Sequence, residues 1–458
     1  MTDSLWTSDE IAAACQGTAS SGFAVSGVTF DSREVGPGDL FIALKGEATD
    51  GHRFVGQAFA SGAAGAITSV AVDGPHVLVA DTTAALNALA AASRARTGAR
   101  VIGVTGSAGK TGTKEALFAA LDRFAPGRAH RSLKSYNNHT GVPLSLARMP
   151  RDARFGVFEM GMNHAGELAA LTRLVRPHVA MVTTVASAHR EFFRSEEEIA
   201  DAKAEIFEGL EPGGLALVPH DNRHRDRLHA AAVSHAGQVL TFGLTEGADI
   251  HADYVVSAPR GGSLISARLP GAQLSFTLSQ PGLHWVSNAL AVLGAVQAVG
   301  GDLAQAGLAL AELGGIKGRG ARHRVAVGDG EAVLIDESYN ANPASMRATL
   351  KVLGEEQGRR MAVLGGMKEL GEGSAALHRE LAEPIEAAGV SFALLVGEEM
   401  EPLAKALGGR IEIAHVPAAA DALTILKDKV RPDDVILVKG SNSIGLAALV
   451  DALASGQG

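Results

Sequence analysis

The sequence predicts a mixed α/β protein of three domains, and three observations support this fold class. The chain has 458 residues, which is about three times a typical domain of roughly 150 residues. Short apolar runs that end in Gly, Asp or Asn alternate with longer Ala- and Leu-rich stretches, the pattern of parallel strands joined by helices. A break at Gly98 and a Gly- and Arg-rich stretch at residues 314–324 interrupt this pattern. We therefore expect domains at residues 1–98, 99–318 and 319–458.

Each domain is expected to contain its own sheet. Residues 1–98 predict a small α/β domain, with strands at 28–31, 40–44 and 77–80. Residues 99–318 predict a buried parallel sheet of the P-loop type, with strands at 101–104, 156–159, 179–185 and 215–218. Residues 319–458 predict a doubly wound, Rossmann-like domain, with strands at 332–336, 361–364, 392–396, 411–414 and 435–438.

The composition excludes several classes of function. The formal net charge is −9 and only 4% of residues are aromatic, whereas a nucleic-acid binder needs a basic surface and usually stacking rings. Cys15 is the single cysteine, so no intrachain disulfide can form. The longest apolar helical run, residues 289–299, is about half of the roughly 20 residues that span a membrane. We expect a cytoplasmic protein that binds small molecules, without a nucleic-acid partner or a membrane span.

The strongest local signal is a Gly-rich turn between a predicted strand and a predicted helix, at residues 101–115. Glycines let backbone amides converge on phosphate oxygens at a helix N-terminus, where Lys110 can neutralise charge and the Thr111 hydroxyl can hold Mg²⁺. Val104 replaces the first glycine of the general pattern, and an ordinary βα turn with a surface lysine is the alternative. The residues expected to bind the nucleotide here are Gly106, Ser107, Ala108, Gly109, Lys110, Thr111, Gly112 and Thr113.

Lys203 carries a second signal, because it lies on the apolar face of a predicted helix at residues 195–210. Its neighbours three and four positions away are Ile199, Ala200, Ile206 and Phe207. None of them is a carboxylate that could pair with the lysine. Such a lysine either extends to solvent, pairs with a carboxylate from elsewhere or is chemically altered, and a functional role is favoured.

Two more candidates follow predicted strands, at the sheet edge where open α/β sheets bind ligands. Glu159 ends one strand and His189 follows the next. Together with Thr111 they could form an oxygen and nitrogen shell for Mg²⁺. Taken singly, Glu159 could also be a capping or surface carboxylate, and His189 an ordinary hydrogen-bonded loop histidine.

In the third domain, residues 335–343 place acids, an aromatic ring and amides where a strand ends and Pro343 opens a helix. Asp336 could bind ribose hydroxyls, or it could help to cap the helix. Arg319 and Lys439 are candidates for phosphate contacts, although each also lies in a flexible basic turn.

Taken in order, these segments resemble the Mur ligases over essentially the whole chain. The resemblance rests on residues 105–111, 137–143, 158–163 and 336–343. The last segment is the most discriminating, and it is most similar to the branch that adds D-alanyl-D-alanine to a UDP-linked muramoyl tripeptide. Two positions depart from the pattern: Asn442 stands where relatives commonly have Arg, and Gly112 where they often have Thr or Ser. The first puts a substrate contact of the third domain in question.

The resemblance implies specific roles. Lys203 matches a family lysine that CO₂ converts to a carbamate, an anionic Mg²⁺ ligand, and Glu159 and His189 match metal ligands beside Thr111. The implied catalytic residues are Lys110, Glu159, His189 and Lys203. Further ATP contacts are implied for Asn288, Arg319, Asp336 and Asn340. Binding of the UDP-sugar substrate is implied for Ser32, Arg33, Lys45, Asp50, His52, Asn138 and Thr140.

The implied reaction is ATP-dependent amide bond formation through an acyl phosphate, with ATP, two Mg²⁺ ions and the Lys203 carbamate as cofactors. The substrates would be UDP-N-acetylmuramoyl-tripeptide and D-Ala-D-Ala, and the protein would be a monomer. A folylpolyglutamate synthetase is disfavoured because its phosphate loop lies much closer to the N-terminus. A nucleotide-dependent switch and a non-catalytic UDP-sugar binder are the alternatives from other classes.

Overall fold

A computed structural model describes residues 4–46, 49–187, 191–257 and 262–455. These residues form three α/β domains, each built on one principal sheet. The mixed α/β class and the three-domain organisation that the sequence predicts are confirmed. Within the described residues, no helix is long and apolar enough to cross a membrane.

The N-terminal domain contains a five-stranded sheet in the order β2-β7-β6-β5-β4 and a separate pairing of β1 with β3. Its strands are β1 (Trp6–Thr7), β2 (Thr18–Ala19), β3 (Ala24–Val25), β4 (Gly27–Thr29), β5 (Asp39–Ile42), β6 (Gly65–Thr68) and β7 (His76–Leu78). Its helices are α1 (Ser8–Cys15), α2 (Val55–Ala60) and α3 (Thr82–Arg96). The three predicted strands are present, shifted by one or two residues.

The central domain contains a nine-stranded sheet in the order β16-β15-β14-β13-β12-β11-β8-β10-β9. Its strands are β8 (Arg100–Thr105), β9 (Ala129–Arg131), β10 (Phe155–Glu159), β11 (Val179–Val182), β12 (Leu215–Pro219), β13 (Gln238–Gly243), β14 (Ile250–Ser257), β15 (Ser263–Leu269) and β16 (Ala272–Leu278). Its helices are α4 (Lys110–Phe124), α5 (Gly141–Ala147), α6 (Glu167–Val175), α7 (Glu196–Ala204), α8 (Arg225–Val233), α9 (Leu283–Ala298) and α10 (Leu303–Glu312).

The parallel strands β8, β10, β11 and β12 at the centre of this sheet are buried on both faces, as predicted. One face packs on α4, α9 and α10 and the other on α6, α7 and α8. The antiparallel extension formed by β14, β15 and β16 was not predicted. Its strands alternate between core-facing residues such as Ile265 and exposed residues such as Leu264 and Val256. This alternation lacks the continuous apolar run of a buried parallel strand.

The C-terminal domain contains a six-stranded sheet in the order β17-β18-β22-β19-β20-β21, parallel except for β17. Its strands are β17 (Ala321–Val327), β18 (Gly330–Glu337), β19 (Arg360–Gly365), β20 (Val390–Val396), β21 (Glu412–Val416) and β22 (Val435–Lys439). Its helices are α11 (Pro343–Glu355), α12 (Ser374–Arg379), α13 (Ala382–Ala387), α14 (Glu401–Leu407), α15 (Ala419–Lys429) and α16 (Leu446–Ala454). Apolar cores lie on both faces of the sheet, which confirms the predicted doubly wound domain.

Candidate active site

The phosphate loop lies between β8 and α4, where the sequence predicts it. Gly106 and Gly109 have φ angles of 152° and 83°, which side chains rarely adopt. A Cβ on Gly106 would lie 1.9 Å from Oγ1 of Thr183. Nζ of Lys110 crosses the loop and donates to the carbonyl of Gly106 at 2.7 Å. The loop is thus shaped for backbone amides and one ammonium group to surround an anion at the N-terminus of α4.

Glu159 ends β10 beneath this loop and is 1% exposed. Its Oε2 accepts a hydrogen bond from the Thr111 hydroxyl at 2.8 Å, and its Oε1 accepts one from Nδ2 of Asn137 at 2.8 Å. A carboxylate and a hydroxyl oxygen in contact are ligands that suit Mg²⁺. Within the described part of the chain, no three His, Cys, Asp or Glu side chains cluster closely enough to hold a metal ion by themselves. His189 lies outside the described residues.

Lys203 is buried on α7, as its place on an apolar helix face predicts, and only 2% of it is exposed. Burial lowers the pKa of its amine well below the ordinary value, and the nearby charge of Lys110 lowers this pKa further. Burial also lowers the pKa of Lys110, which the Glu159 carboxylate opposes. A neutral amine is the form of lysine that is nucleophilic, so Lys203 is suited to react with an electrophile.

A cavity of about 510 Å³ separates the central and C-terminal domains, a size that suits a nucleotide-sized ligand. Its central-domain wall includes Ser107, Ala108, Gly109, Lys110, Gly112, Glu159, Lys203 and Asn288, and its C-terminal wall includes Arg319, Glu337, Tyr339, Asn340 and Lys439. The structure therefore brings most of the predicted nucleotide residues to one cavity. Gly106, Thr111 and Thr113 belong to the loop but do not line the cavity.

Two basic side chains of the C-terminal domain are held at this wall. The Arg319 guanidinium lies 4.3 Å from the centroid of the Tyr339 ring. Nζ of Lys439, which is 2% exposed, donates to Oε2 of Glu337 at 3.3 Å and to the carbonyl of Asn340 at 2.9 Å. Together with Lys110, these groups give the cavity the positive character that a polyphosphate requires.

Asp336 does not line the cavity, in contrast to the role expected for it. It is fully buried, and its oxygens accept hydrogen bonds from the amide of Gly318 at 2.6 Å and from the hydroxyl of Ser338 at 2.6 Å. The neighbouring Glu337 faces the cavity, because successive residues of a strand point to opposite faces. Asn342, and not Asp336, caps α11 with its side chain, and this side chain also donates to the carbonyl of Ser107.

The residues expected to hold the UDP-sugar do not line the cavity. Arg33 forms a surface ion pair with Asp31, Asp50 accepts from the His52 ring at 2.6 Å, and Lys45 pairs with Asp50 through the backbone. Ser32 lies in the same N-terminal domain. In the central domain, Oδ1 of Asn138 accepts from the hydroxyl of Thr140 at 3.0 Å and from the amide of Gly141 at 2.9 Å, which fixes the start of α5.

Sequence reasoning missed Lys114, Ser132 and Asn137, which surround Glu159. Lys114 could have been found by the argument applied to Lys203, because Leu117 and Phe118 place it on the inner face of α4. Ser132 and Asn137 lie in a loop that gives no periodic signal, so only the folded chain shows their contacts.

The phosphate loop, the parallel sheet and the second domain across the cavity define an α/β nucleotide-binding enzyme of the P-loop type. Three domain families match the sequence: "Mur ligase family, catalytic domain" at residues 24–102, "Mur ligase middle domain" at 104–296 and "Mur ligase, glutamate ligase domain" at 322–442. The chain belongs to the Mur ligase family.

Relatives and solved structures extend this result over the whole chain. The UDP-N-acetylmuramoyl-tripeptide--D-alanyl-D-alanine ligase of Escherichia coli is 36% identical, with 93% of each chain covered. The Bacillus subtilis ligase of the same name is 33% identical over 94% of this chain and 93% of its own. The crystal structure of MurF from Acinetobacter baumannii matches with a TM-score of 0.85 and 31% identity, covering 98% of this chain and 99% of that one. The MurF ligase of Thermotoga maritima in complex with ADP matches with a TM-score of 0.78 and 26% identity, covering 94% and 97%.

Proposed function

We propose that this protein joins D-alanyl-D-alanine to UDP-N-acetylmuramoyl-tripeptide at the expense of ATP. The product would be the pentapeptide precursor of peptidoglycan. The similarity to ligases of that name covers 93% of the chain. The observation that carries the proposal is the cavity in which Lys110, Glu159 and Lys203 of the central domain face Arg319 and Lys439 of the C-terminal domain.

In the proposed reaction, a terminal carboxylate oxygen of the tripeptide attacks the γ-phosphorus of ATP. The bond between that phosphorus and the bridging oxygen breaks, and ADP leaves. The neutral amine of D-Ala-D-Ala then attacks the acyl carbon, the bond from that carbon to the phosphate oxygen breaks, and phosphate leaves with the proton that the amine nitrogen loses. Both steps concentrate negative charge, so the loop amides, Lys110, Arg319 and Lys439 stabilise them electrostatically.

Two Mg²⁺ ions would be held by Thr111, Glu159, His189 and carbamylated Lys203. Bound Mg²⁺ would neutralise phosphate charge and polarise the bond that breaks. The donor set supports this assignment, because the Thr111 hydroxyl and the Glu159 carboxylate meet beside the phosphate loop. The lowered pKa of Lys203 supports the carbamate, because an uncharged amine can attack CO₂ and lose a proton. The carbamate would add the anionic oxygen ligands that Glu159 alone does not supply.

For the nucleoside, we assign the ribose contact to Glu337 in place of Asp336, since Glu337 lines the cavity. Asn288 and Asn340 line the same cavity and can contribute amide contacts.

The N-terminal domain would hold the UDP-sugar, with Ser32, Arg33, Lys45, Asp50 and His52, and the loop of Asn138 and Thr140 would contact the same substrate. We further propose domain boundaries at 98/99 and 318/319, a monomeric state and a cytoplasmic location.

Phosphate release from ATP and Mg²⁺ tests this function, with the tripeptide substrate and D-Ala-D-Ala supplied singly and then together. Release that requires both substrates supports the ligase. Release that is independent of the amine would overturn the ligase and favour a nucleotide-dependent switch.

A further inference from the structure

Residues 132–137, here called the junction segment, contact all three domains. Lys134 forms an ion pair with Glu34 of the N-terminal domain, and the Tyr136 hydroxyl donates to the same carboxylate at 3.2 Å. On the opposite side, the Ser135 hydroxyl is hydrogen-bonded to the hydroxyl of Tyr339 in the C-terminal domain. One short segment of the central domain therefore touches the proposed sugar-binding domain and the wall of the nucleotide cavity.

The junction segment also determines the position of Glu159. The Glu159 amide donates to Oγ of Ser132 at 2.9 Å, and its carboxylate accepts from Nδ2 of Asn137. The amide of Gly161 donates to the carbonyl of Asn137 at 2.7 Å. Movement of the segment would therefore displace the carboxylate proposed to bind the metal ion.

The segment is anchored by Lys114, a fully buried lysine on α4 one turn beyond Lys110. Nζ of Lys114 donates to the carbonyls of Ser132 at 3.0 Å and of Lys134 at 2.6 Å. Glu115 lies 3.0 Å from the same ammonium group and balances its charge. A buried ammonium is costly unless it is paired and hydrogen-bonded, and this one uses its donors on backbone carbonyls of the junction segment.

We propose that Lys114 is a positioning residue. It holds the junction segment against α4, the helix that follows the phosphate loop, and thereby fixes the position of Glu159 and of the contacts to the N-terminal and C-terminal domains. Lys114 need not contact either substrate. Its ammonium lies 4.0 Å from Oε2 of Glu159, so it acts mainly through the carbonyls that it binds. This inference deepens the proposed function, on which its catalytic test depends.

The first test is independent of activity. Hydrogen exchange of the Glu159 and Gly161 amides is compared between the wild type and Lys114→Met, which keeps the length of the side chain but removes its donors. We expect exchange at both amides to accelerate at least tenfold, because their acceptors lie in the released segment. Unchanged exchange at both amides in a folded variant would overturn the proposal.

The second test is a double-mutant cycle on kcat between Lys114→Met and Tyr339→Phe, which removes only the hydroxyl bound to Ser135. If Lys114 acts through the segment, the double variant should lose at least fivefold less than the product of the two single losses. Multiplicative losses, or a kcat for Lys114→Met within twofold of the wild type, would contradict the proposal. An inactive wild type would sink the proposed function instead, and the exchange experiment would still decide the role of Lys114.

Lys114→Met could fail to fold, because the lysine is fully buried. The cycle is then made with Ser135→Ala and Glu34→Gln, which alter the two outer contacts of the segment and leave Lys114 in place. If the double variant loses less kcat than the product of the two single losses, the two contacts are coupled through the junction segment, as proposed. Single losses that simply multiply would overturn the proposal.

Discussion

The hydroxyl of Thr111 donates a 2.8 Å hydrogen bond to Oε2 of Glu159, although the two residues lie 48 positions apart in the chain. Thr111 is the second residue of α4, the helix that follows the phosphate loop, and Glu159 ends β10, which pairs with β8. Because these two parallel strands end at the same edge of the sheet, the two oxygen ligands meet beside the loop.

Gly106→Ala should weaken the binding of ADP. The new Cβ would approach Oγ1 of Thr183 to 1.9 Å, and Thr183 cannot move freely because its hydroxyl donates to the carbonyl of Ala108 at 2.6 Å. Loss of one charge-assisted hydrogen bond costs about 1.5–3 kcal/mol, roughly tenfold to a hundredfold in affinity. Calorimetric titration with ADP measures the change. Gly56→Ala on α2 is the matched control, since its Cβ would meet nothing within 4 Å, and equal affinities in the two variants would refute this interpretation of the loop.

Lys203→Ala should lower the rate of the ligase reaction by about a hundredfold or more, the order of effect of removing one electrostatic contributor from an active site. The reason is loss of the anionic carbamate proposed to hold Mg²⁺. Phosphate release with both substrates measures the rate, and depletion of CO₂ should slow the wild type until bicarbonate is restored. Lys405→Ala is the control, because Lys405 is an exposed lysine in a surface ion pair with Glu401. A Lys203→Ala variant with more than a tenth of wild-type activity would exclude the carbamate role.

The stability of the protein should depend on pH through Lys203. Its pKa in the folded chain lies well below the ordinary 10.5, so between these values the unfolded chain binds more protons and the free energy of unfolding rises with pH. In CO₂-free buffer, Lys203→Met should therefore raise Tm at pH 7, by about 2–4 °C for each kcal/mol recovered. The gain over the wild type should shrink as the pH approaches 10.5. Thermal unfolding at several pH values tests this, and a gain that grows with pH would contradict the assigned direction.

Substitution of Asp336 should mainly affect the stability of the fold, whereas substitution of the neighbouring Glu337 should mainly affect nucleotide binding. Asp336→Asn should lower the free energy of unfolding by about 1–3 kcal/mol, because the buried carboxylate accepts from Gly318 and Ser338 and an amide group cannot satisfy all of these donors. Glu337→Gln should raise the KM for ATP about tenfold and lower Tm less than Asp336→Asn does, because the glutamine side chain keeps an oxygen that can accept from the Lys439 ammonium. Thermal unfolding and steady-state kinetics of both variants provide the comparison. If the KM for ATP rises in Asp336→Asn and not in Glu337→Gln, Asp336 and not Glu337 contacts the ribose.

Much of the fold could be predicted from the sequence because buried parallel strands give continuous apolar runs, as at Val101 and Val435. The antiparallel strands β14 to β16 were missed because their alternating pattern, exemplified by Ile265 and Leu264, resembles surface segments. The boundaries of the predicted strands differ from the observed ones by up to three residues, because hydrogen bonding between neighbouring strands, which local sequence does not report, sets where each strand ends.

The candidate site was predictable where a side chain breaks a local pattern. Lys203 stands out on an apolar helix face, and the glycines of the phosphate loop have no other evident use. The assignment at Asp336 depended on which face of a strand end points into the cavity, and the sequence alone did not distinguish it from Glu337. The contacts of Asn137 with Glu159 depend on the path of a loop, which only the folded chain determines.

The most direct test of the central claim is mass spectrometry of the product formed with ATP, Mg²⁺, UDP-N-acetylmuramoyl-tripeptide and D-Ala-D-Ala. We expect one new species, the sum of the two substrates less one water, formed in equal amount with ADP and absent when either substrate is omitted. Release of ADP and phosphate without that species would show that the protein is not this ligase.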